Sequence, residues 1–426
     1  MKDFIDFFSF SDPNVRYVVL GSVLLAVSSA IVGSFTFLKK KSLVGDAVAH
    51  SVLPGVCLAF MLTGTKNPFI LIVGAFCTGW ISLVIMDQIV AKSKLKQDTA
   101  IGLVLSVFFG IGILLLTVIQ SSGNAAQSGL DSFLFGKAAA LVGEDLIAFG
   151  SVSIILLAVV YLLFKEFTLI SFDENFAVAI GFPVRRLELV LTTLTVLAVV
   201  VGIQAVGVVL MAAMLITPAA AARFWTDNLK KMVLLSALFG AFSGIAGAFV
   251  SYTAPSMPTG PWIVMIISII ALFSFFFAPR RGIVLRLLRN YRNQQQILTE
   301  NILKELFKMA EAGNKIEYSI EELLQFRSFD PSKLKPALSK LSRQGYVEKI
   351  DEKWKLTVEG QQKGQRVVKL HRLWELYLTE YLRIAPDHVH EDAETIEHVI
   401  TPELEVRLEK LLDKPELDPH QSKIPY

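Results

Sequence analysis

The sequence predicts an all-α membrane domain of about nine transmembrane helices, followed by a small α+β domain that contains a winged helix. Of the 426 residues, 53% are hydrophobic and only 19% are charged, which is too apolar for a soluble globular protein of this length. Long uncharged runs fill the chain up to Ala278, whereas charged residues return every few positions after Arg280. This change predicts a soluble tail behind a membrane domain.

The change in composition predicts a domain boundary between Arg280 and Arg292. The tail is expected to hold two parts, a winged helix and a helical metal-binding part. The predicted bounds are 1–285 for the transmembrane domain, 286–426 for the tail, about 295–360 for the winged helix and about 361–426 for the helical part.

A helix needs roughly 20 apolar residues to cross a hydrocarbon core of about 30 Å. The run from Leu187 to Phe224 would be about 57 Å long as one helix, so it must fold back, and Gly202 to Gly207 is the expected break. Gly123 to Gly143 is too polar for a clear span and is expected to form a short re-entrant or interfacial helix. The other spans are predicted at Tyr17 to Leu38, Asp46 to Leu62, Phe69 to Val90, Thr99 to Ile119, Leu146 to Phe164, Met232 to Tyr252 and Trp262 to Ala278.

Basic residues concentrate in alternate loops between these spans, as at Lys39 to Lys41, Lys92 to Lys96, and Arg185 with Arg186. Lysine and arginine mark the cytoplasmic side of membrane proteins. Nine spans with this asymmetry place the N-terminus outside and the tail in the cytoplasm.

Asp46 and His50 lie four residues apart in Gly45-Asp-Ala-Val-Ala-His-Ser-Val-Leu-Pro-Gly55, within a predicted span. Ionisable groups are costly inside a membrane and need a function or a partner. The spacing puts carboxylate and imidazole on one helix face, where together they can hold Mn²⁺, Fe²⁺ or Zn²⁺. Equally, Asp46 could cap the helix and His50 could hydrogen-bond to a neighbouring helix.

This stretch resembles the signature of the ABC-3 family of metal-ion permeases, the membrane subunits of manganese, zinc and iron importers. Two further stretches agree, Ser171-Phe-Asp-Glu-Asn-Phe-Ala-Val-Ala-Ile-Gly-Phe-Pro183 and the run from Gln204 to Arg223. The resemblance implies that Asp46 and His50 bind the ion during passage. It also implies that the segment after Thr217, with Pro218, Ala219, Ala220 and Arg223, docks on an ATPase, as a compact cytoplasmic helix.

The chain has no Gly-x-x-x-x-Gly-Lys-Ser/Thr segment, so no nucleotide is expected to bind it. The resemblance therefore implies a bacterial cytoplasmic membrane protein that works with a separate ABC ATPase subunit. An extracytoplasmic metal-binding protein and a second permease copy or paralogue complete the implied assembly. The chain itself is expected not to be an enzyme, and its cargo is expected to be manganese first, then iron or zinc.

In the tail, helical patterns, a Ser319 to Glu322 capping box and a β-like stretch near Trp354 predict a winged helix. Its would-be recognition helix carries Lys333, Lys335, Lys340 and Arg343, a pattern compatible with DNA. However, residues after Asn290 include 21 basic and 24 acidic side chains. This acidic balance argues against DNA binding.

Histidine and glutamate recur at helical spacing near the C-terminus, which favours a metal site over a solvated face. These stretches resemble the diphtheria-toxin-repressor family of iron- and manganese-dependent regulators over about Leu298 to Pro425. The resemblance implies metal ligation by His371, Glu375, His390, Glu394, Glu397 and His398. One departure is that the first helix offers Asn301 and Lys304 where the family has ligands, and a charged lysine cannot ligate a metal.

Two roles remain open for the tail, a sensor that binds regulatory Mn²⁺ or Fe²⁺ and restrains transport, or a dimerisation module. For the whole chain, the main rival is an ion-coupled secondary transporter or channel in which Asp46 carries protons. A membrane-tethered DNA-binding regulator needs fewer spans than the nine predicted.

Overall fold

The structure is a computed structural model, and the chain divides into two compact units, Met1–Arg286 and Leu287–Tyr426. The helices and strands below are numbered in chain order among the described residues. Those residues are 2–65, 67–121, 136, 143–254, 257–313, 315–385, 389, 393–394, 396–398 and 400–426.

The first unit is helical throughout its described elements. The helices are α1 (Lys2–Ser9), α2 (Pro13–Leu38), α3 (Val44–Ser51), α4 (Leu53–Thr63), α5 (Pro68–Lys92), α6 (Gln97–Ser121), α7 (Gly143–Leu162), α8 (Phe164–Phe172), α9 (Glu174–Ala179), α10 (Val184–Val206), α11 (Val208–Trp225), α12 (Leu229–Thr253) and α13 (Thr259–Phe277).

Within the described part of the chain, eight helical stretches are long and apolar enough to cross a membrane, with α3 and α4 counted as one stretch. The ninth predicted span corresponds to α11, whose apolar part is the shorter helix Leu210–Trp225. The chain is thus a multi-pass membrane protein, and the predicted fold class is confirmed. The re-entrant helix predicted between Gly123 and Gly143 falls on residues that lie, apart from Gly136 and Gly143, outside the described ones.

The predicted break in the long apolar run is confirmed at Gly207, which separates α10 from α11. Gly207 has φ +88° and ψ 164°, a conformation that only glycine adopts without strain. The compact separate helix expected after Pro218 is wrong, because α11 runs through Pro218 to Trp225 without interruption. The alanines beyond Pro218 are the strongest helix formers and carry the helix on past the proline.

Helix α2 lies at the centre of this unit because small residues let its neighbours come close. A β-carbon at Gly33 would lie 1.8 Å from the backbone oxygen of Leu215 on α11. On α12, a β-carbon at Gly240 would lie 2.8 Å from the backbone oxygen of Ala26. These glycines therefore fix how closely α11 and α12 pack on α2.

Gly33→Ala should destabilise the permease unit by about 1–3 kcal/mol, because the added methyl overlaps a backbone oxygen and the helices must separate. The measurement is the thermal unfolding midpoint of the full chain in detergent. Gly102→Ala on α6 is the matched control, since a β-carbon there meets nothing within 4 Å. Equal midpoints for the two variants would contradict the predicted close contact.

The second unit combines helices with one small sheet. Its elements are α14 (Ile283–Ala312), β1 (Glu317–Tyr318), α15 (Ile320–Phe326), α16 (Pro331–Arg343), β2 (Val347–Ile350), β3 (Lys353–Leu356), α17 (Val358–Glu380) and α18 (Pro402–Leu411). The strands form an antiparallel sheet in the order β1-β3-β2.

Helices α14, α15 and α16 and this sheet form the winged helix expected from the sequence. The predicted capping box is confirmed, since Ser319 and Glu322 each accept a hydrogen bond from the backbone N–H of the other. The core contains Leu303 from α14, Leu338 from α16 and Trp354 from β3, all buried. The β-like stretch predicted near Trp354 is β3, which pairs with β2 on one side and with β1 on the other.

Helices α17 and α18 are joined by ion pairs around Glu405. Lys369 Nζ lies 2.6 Å from Glu405 Oε1 and 2.8 Å from Glu409 Oε1, and Arg366 Nη2 lies 2.9 Å from Glu405 Oε2. Burial raises the pKa of Glu405, but hydrogen bonds from Lys369 and Arg366 outweigh burial and hold that pKa below its ordinary value. Glu405 therefore stabilises the fold in its charged form.

Glu405→Gln should lower the free energy of unfolding of α17 and α18 near neutral pH by about 1.5–3 kcal/mol, because two charge-assisted hydrogen bonds are weakened. The depressed pKa means that this contribution is present above the unfolded value of about 4.3 and is lost as pH falls through the lower folded value. This contribution is measured as a function of pH by hydrogen exchange of the backbone amides of both helices in the full chain, corrected for intrinsic exchange rates. Glu403→Gln, an exposed change in the same helix turn, should behave like the parent, and identical pH profiles for the two variants would refute the assignment.

Candidate metal centres

Asp46 and His50 lie on one face of α3, as their spacing predicts. The opposite face, with Ala47, Val48 and Ala49, is buried in the core. The side chains of Asp46 and His50 are 42% and 20% exposed, and His50 Nε2 lies 3.7 Å from Asp46 Oδ1. Carboxylate and imidazole thus point to the same partly open space.

The alternative interpretation makes Asp46 a helix cap and has His50 hydrogen-bonded to a neighbouring helix. Among the described residues, neither role is found. The N-cap of α3 is Leu43, without a side-chain hydrogen bond, so Asp46 does not cap the helix. The buried Nδ1 of His50 has no hydrogen-bond partner among the described residues. The described ring neighbour of His50 is Phe109, in an edge contact at 5.0 Å between centroids.

Helix α3 ends at Ser51, the residue after His50. Pro54 has no N–H to donate to the carbonyl of His50, one turn earlier. The N–H of Gly55 donates to the carbonyl of Val52 at 3.0 Å, in place of Ser51. Two backbone carbonyls beside the imidazole therefore lose their usual helical donors.

The Asp46–His50 distance suits two ligands of one ion. Metal bonds of about 2.1 Å to each atom would enclose an angle of roughly 120° across the 3.7 Å gap. The described residues contain no group of three or more His, Cys, Asp or Glu side chains able to hold a metal. Within that part of the chain, the pair therefore offers a divalent cation two side-chain ligands and leaves its other coordination positions to further donors.

The predicted ATPase-docking residues lie in the last turns of α11. Pro218 and Ala219 are buried, whereas Ala220 and Arg223 are half-buried. Arg223 Nη1 lies 3.4 Å from Asp227 Oδ1. Of the four, Ala220 and Arg223 are the ones that another protein could contact.

Three segments of the second unit bring most of the predicted tail ligands together: α17, residues 393–398 and the middle of α14. We name the described ligands His371, Glu375, Glu394, Glu397 and His398 the tail cluster. His371 lies between two carboxylates, with Nδ1 2.5 Å from Glu397 Oε2 and Nε2 3.1 Å from Glu375 Oε1. His390, the sixth predicted ligand, lies outside the described residues.

A lysine ammonium occupies the centre of the tail cluster. Lys304 Nζ lies 2.9 Å from both carboxylate oxygens of Glu397 and 3.1 Å from His371 Nδ1. The Lys304 side chain is fully buried. The departure noted in the sequence thus places a lysine side chain in the middle of the predicted ligands.

A second cation, Arg327, holds the carboxylate at the edge of the cluster. Arg327 Nη1 lies 3.2 Å from Glu394 Oε1 and 3.2 Å from Glu305 Oε1. The sequence gives no signal for this contact, because Arg327 and Glu394 are 67 residues apart in the chain. On the other side, His398 Nδ1 lies 2.7 Å from Glu300 Oε2, which the sequence analysis also missed.

The charges of the cluster shift each other's pKa values. Burial raises the pKa of Glu397, but the hydrogen bond from His371 and the charge of Lys304 hold it below its ordinary value. Burial lowers the pKa of Lys304, and the carboxylate of Glu397 opposes that shift. The Glu397 carboxylate is therefore stabilised in its charged form by the chain's own groups.

The described residues of the tail cluster do not fit a divalent ion while Lys304 keeps its position. Both oxygens of Glu397 and Nδ1 of His371 converge on the ammonium, and Glu394 is paired with Arg327. Among the described cluster atoms, Nε2 of His398 is buried without a hydrogen-bond partner. One imidazole nitrogen alone does not make a metal site.

Comparison with known proteins identifies two regions. Residues 11–278 match the ABC 3 transport family. Residues 357–426 match the family described as iron dependent repressor, metal binding and dimerisation domain. Both resemblances stated from the sequence are confirmed.

Individual relatives agree with this division. The chain is 44% identical over 375 residues to the manganese transport system membrane protein MntC of Bacillus subtilis, which covers 88% of this chain and 86% of that protein. It is 44% identical over 283 residues to the zinc transport system membrane protein TroC of Treponema pallidum, covering 66% of this chain and 95% of that protein.

Among solved structures, PsaBC from Streptococcus pneumoniae in complex with Fab superimposes with a TM-score of 0.59 at 34% identity, over 65% of this chain and 97% of that one. The family match covers most of the chain, and it includes both the Asp46–His50 pair and the Gly207 break. The chain therefore belongs to the ABC 3 transport family.

Proposed function

We propose that this chain is the membrane-spanning permease subunit of an ABC importer for divalent transition-metal ions, with manganese as the main cargo, ahead of iron and zinc. Relatives named for manganese and for zinc transport are equally identical to it. Of these two alignments, the one to the manganese protein covers 88% of the chain and the one to the zinc protein 66%. That extended match supports manganese as the main cargo.

The ion-binding pair in this proposal is Asp46 and His50. The observation that carries it is that, in the described part of the chain, Asp46 is not the helix cap and His50 Nδ1 makes no hydrogen bond to a neighbouring helix. Asp46 caps nothing, and His50 keeps a buried nitrogen without a partner in the described part of the chain. Ionisable groups in a span are retained for a function, and replacing the water around a passing cation requires such unengaged donors.

A second permease, either a copy or a paralogue, completes the site in this proposal. The described residues of one chain offer an ion two side-chain ligands here, while hard divalent ions such as Mn²⁺ prefer more oxygen and nitrogen donors than two. Both side chains of the pair are partly exposed. An arrangement of two permeases would let two such faces share the pathway, with water filling the remaining positions.

Energy comes from a separate ABC ATPase in this proposal, since the sequence has no phosphate-binding loop. Ala220 and Arg223 are the accessible part of the expected docking segment, and Pro218 and Ala219 support it from the buried side. An extracytoplasmic metal-binding protein delivers the ion. The loop lysines and arginines support a bacterial cytoplasmic membrane protein with its N-terminus outside and its tail in the cytoplasm.

For the tail we favour a dimerisation module over a metal sensor. The matched family combines metal binding and dimerisation in its description, and Lys304 and Arg327 neutralise the carboxylates that an ion would need. DNA binding is not part of the proposal, because the tail carries more acidic than basic residues. Two tails that associate would reinforce the pairing of two permeases.

Asp46→Ala and His50→Ala should each reduce cellular uptake of radioactive Mn²⁺ by at least about tenfold, because even residues that support a metal ligand cost that much. Membrane levels of the protein should stay the same. Asp98→Ala is the matched control, since Asp98 is also an acidic residue in the first turn of a span. Uptake in the Asp46 and His50 variants equal to that of the control would exclude the pair from the pathway.

The same uptake assay separates the proposal from its rival, an ion-coupled secondary transporter. Depleting cellular ATP while maintaining the membrane potential should stop uptake through the parent chain. Uptake that continues under these conditions would favour the secondary transporter. Competition by excess Zn²⁺ or Fe²⁺ ranks the three ions.

Arg223→Glu should reduce co-purification of the partner ATPase with the permease at least severalfold, because a reversed charge at the docking surface repels its former partner. Asp227→Asn is the control for the ion pairs of Asp227 with Arg223, Arg280 and Arg281, since it weakens them without reversing the charge of Arg223. The same loss in both variants would show that the broken ion pairs, and not a contact of Arg223 with the ATPase, cause the loss.

A further inference from the structure

We propose that Lys304 supplies, from within the chain, the positive charge that a bound divalent ion would supply to the tail cluster, so that the second unit holds its fold without metal. This inference goes beyond the transport function. It does not depend on which ion the permease carries, or on whether it carries one.

The position of the ammonium carries the argument. Lys304 Nζ faces two oxygens of Glu397 and one nitrogen of His371 at 2.9 to 3.1 Å. These are three donor atoms from two different segments, and they converge on one buried point. Convergence of carboxylate and imidazole atoms on one point is what a divalent ion requires, and here the point holds a protonated amine.

An ammonium and a metal ion exclude each other at this point. An ion bonded to Glu397 would lie about 2 Å from its oxygens, and therefore within the space that Nζ already fills. Two positive charges that close repel strongly inside a buried site. For a metal to bind, Lys304 would have to leave a side-chain position that is fully buried.

The ammonium joins the same elements that an ion would join. Lys304 comes from α14, His371 from α17 and Glu397 from the segment before α18. Without a positive charge among them, the Glu397 carboxylate would stay buried beside Glu375 and Glu394. Buried charges that lose their partner strongly destabilise a fold, so the cluster needs a cation of one kind or the other.

Arg327 is an independent second observation of the same kind. It places a guanidinium between Glu305 and Glu394, at 3.2 Å from each. Two carboxylates of the predicted ligand set, those of Glu397 and Glu394, are thus each paired with a positively charged side chain of the same protein. In the described part of the cluster, Lys304 and Arg327 therefore each offset the negative charge of one carboxylate.

The test uses the full chain in detergent with Asp46→Ala, so that the pair in the permease unit contributes little to metal binding. Hydrogen exchange of peptides from α17, Val358–Glu380, is measured with a chelator and with millimolar Mn²⁺. The two conditions should give exchange rates within twofold of each other. Exchange at least tenfold slower with Mn²⁺ would overturn the proposal, since the tail would then depend on metal.

A variant isolates the charge of the ammonium. Lys304→Met keeps the length of the side chain but removes the charge, and should make exchange in α17 at least tenfold faster in the presence of chelator. Lys335→Met, an exposed lysine on α16, is the matched control and should exchange like the parent. Unchanged exchange in Lys304→Met would overturn the proposal. If Lys304→Met does not fold, the parent measurement with and without Mn²⁺ still decides.

Discussion

Carboxylates that are withdrawn from water need a positive charge beside them, and the two units of this chain meet that need in opposite ways. In the permease unit, Asp46 and His50 share a partly open face with no described cation in contact. In the second unit, Lys304 and Arg327 are built into the cluster. Ligand groups without a bound cation are suited to a site that an ion enters and leaves. Ligand groups already paired with lysine or arginine are suited to a structural domain.

The geometry around Asp46 and His50 depends on neighbours that hold α3 firmly. A β-carbon at Gly45 would lie 2.8 Å from Cδ2 of Leu215, and one at Gly33 would lie 1.8 Å from the backbone oxygen of the same leucine. Leu215 on α11 therefore packs against both α2 and α3. Because α11 begins at the turn made by Gly207, that turn helps to set the position of Asp46 and His50.

Local periodicity explains which features could be predicted from the sequence. The four-residue spacing of Asp46 and His50 fixes a shared helix face, and the length of the run after Leu187 requires a break. The centre of the tail cluster could not be predicted in this way. Lys304 and Glu397 are 93 residues apart, and only the packing of α14 against the C-terminal segments brings them together. Helix propensity also outweighed the break expected at Pro218, since the alanines that follow continue α11.

A lysine side chain differs from a bound ion in that it cannot dissociate. The positive charge of Lys304 beside Glu397 does not depend on the supply of metal, and no chelator in the cell can remove it. An importer is needed most when its cargo is scarce inside the cell, which is the condition under which an ion-dependent fold would come apart. With Lys304 in that position, the metal-independent fold that we propose for the second unit would persist during metal starvation.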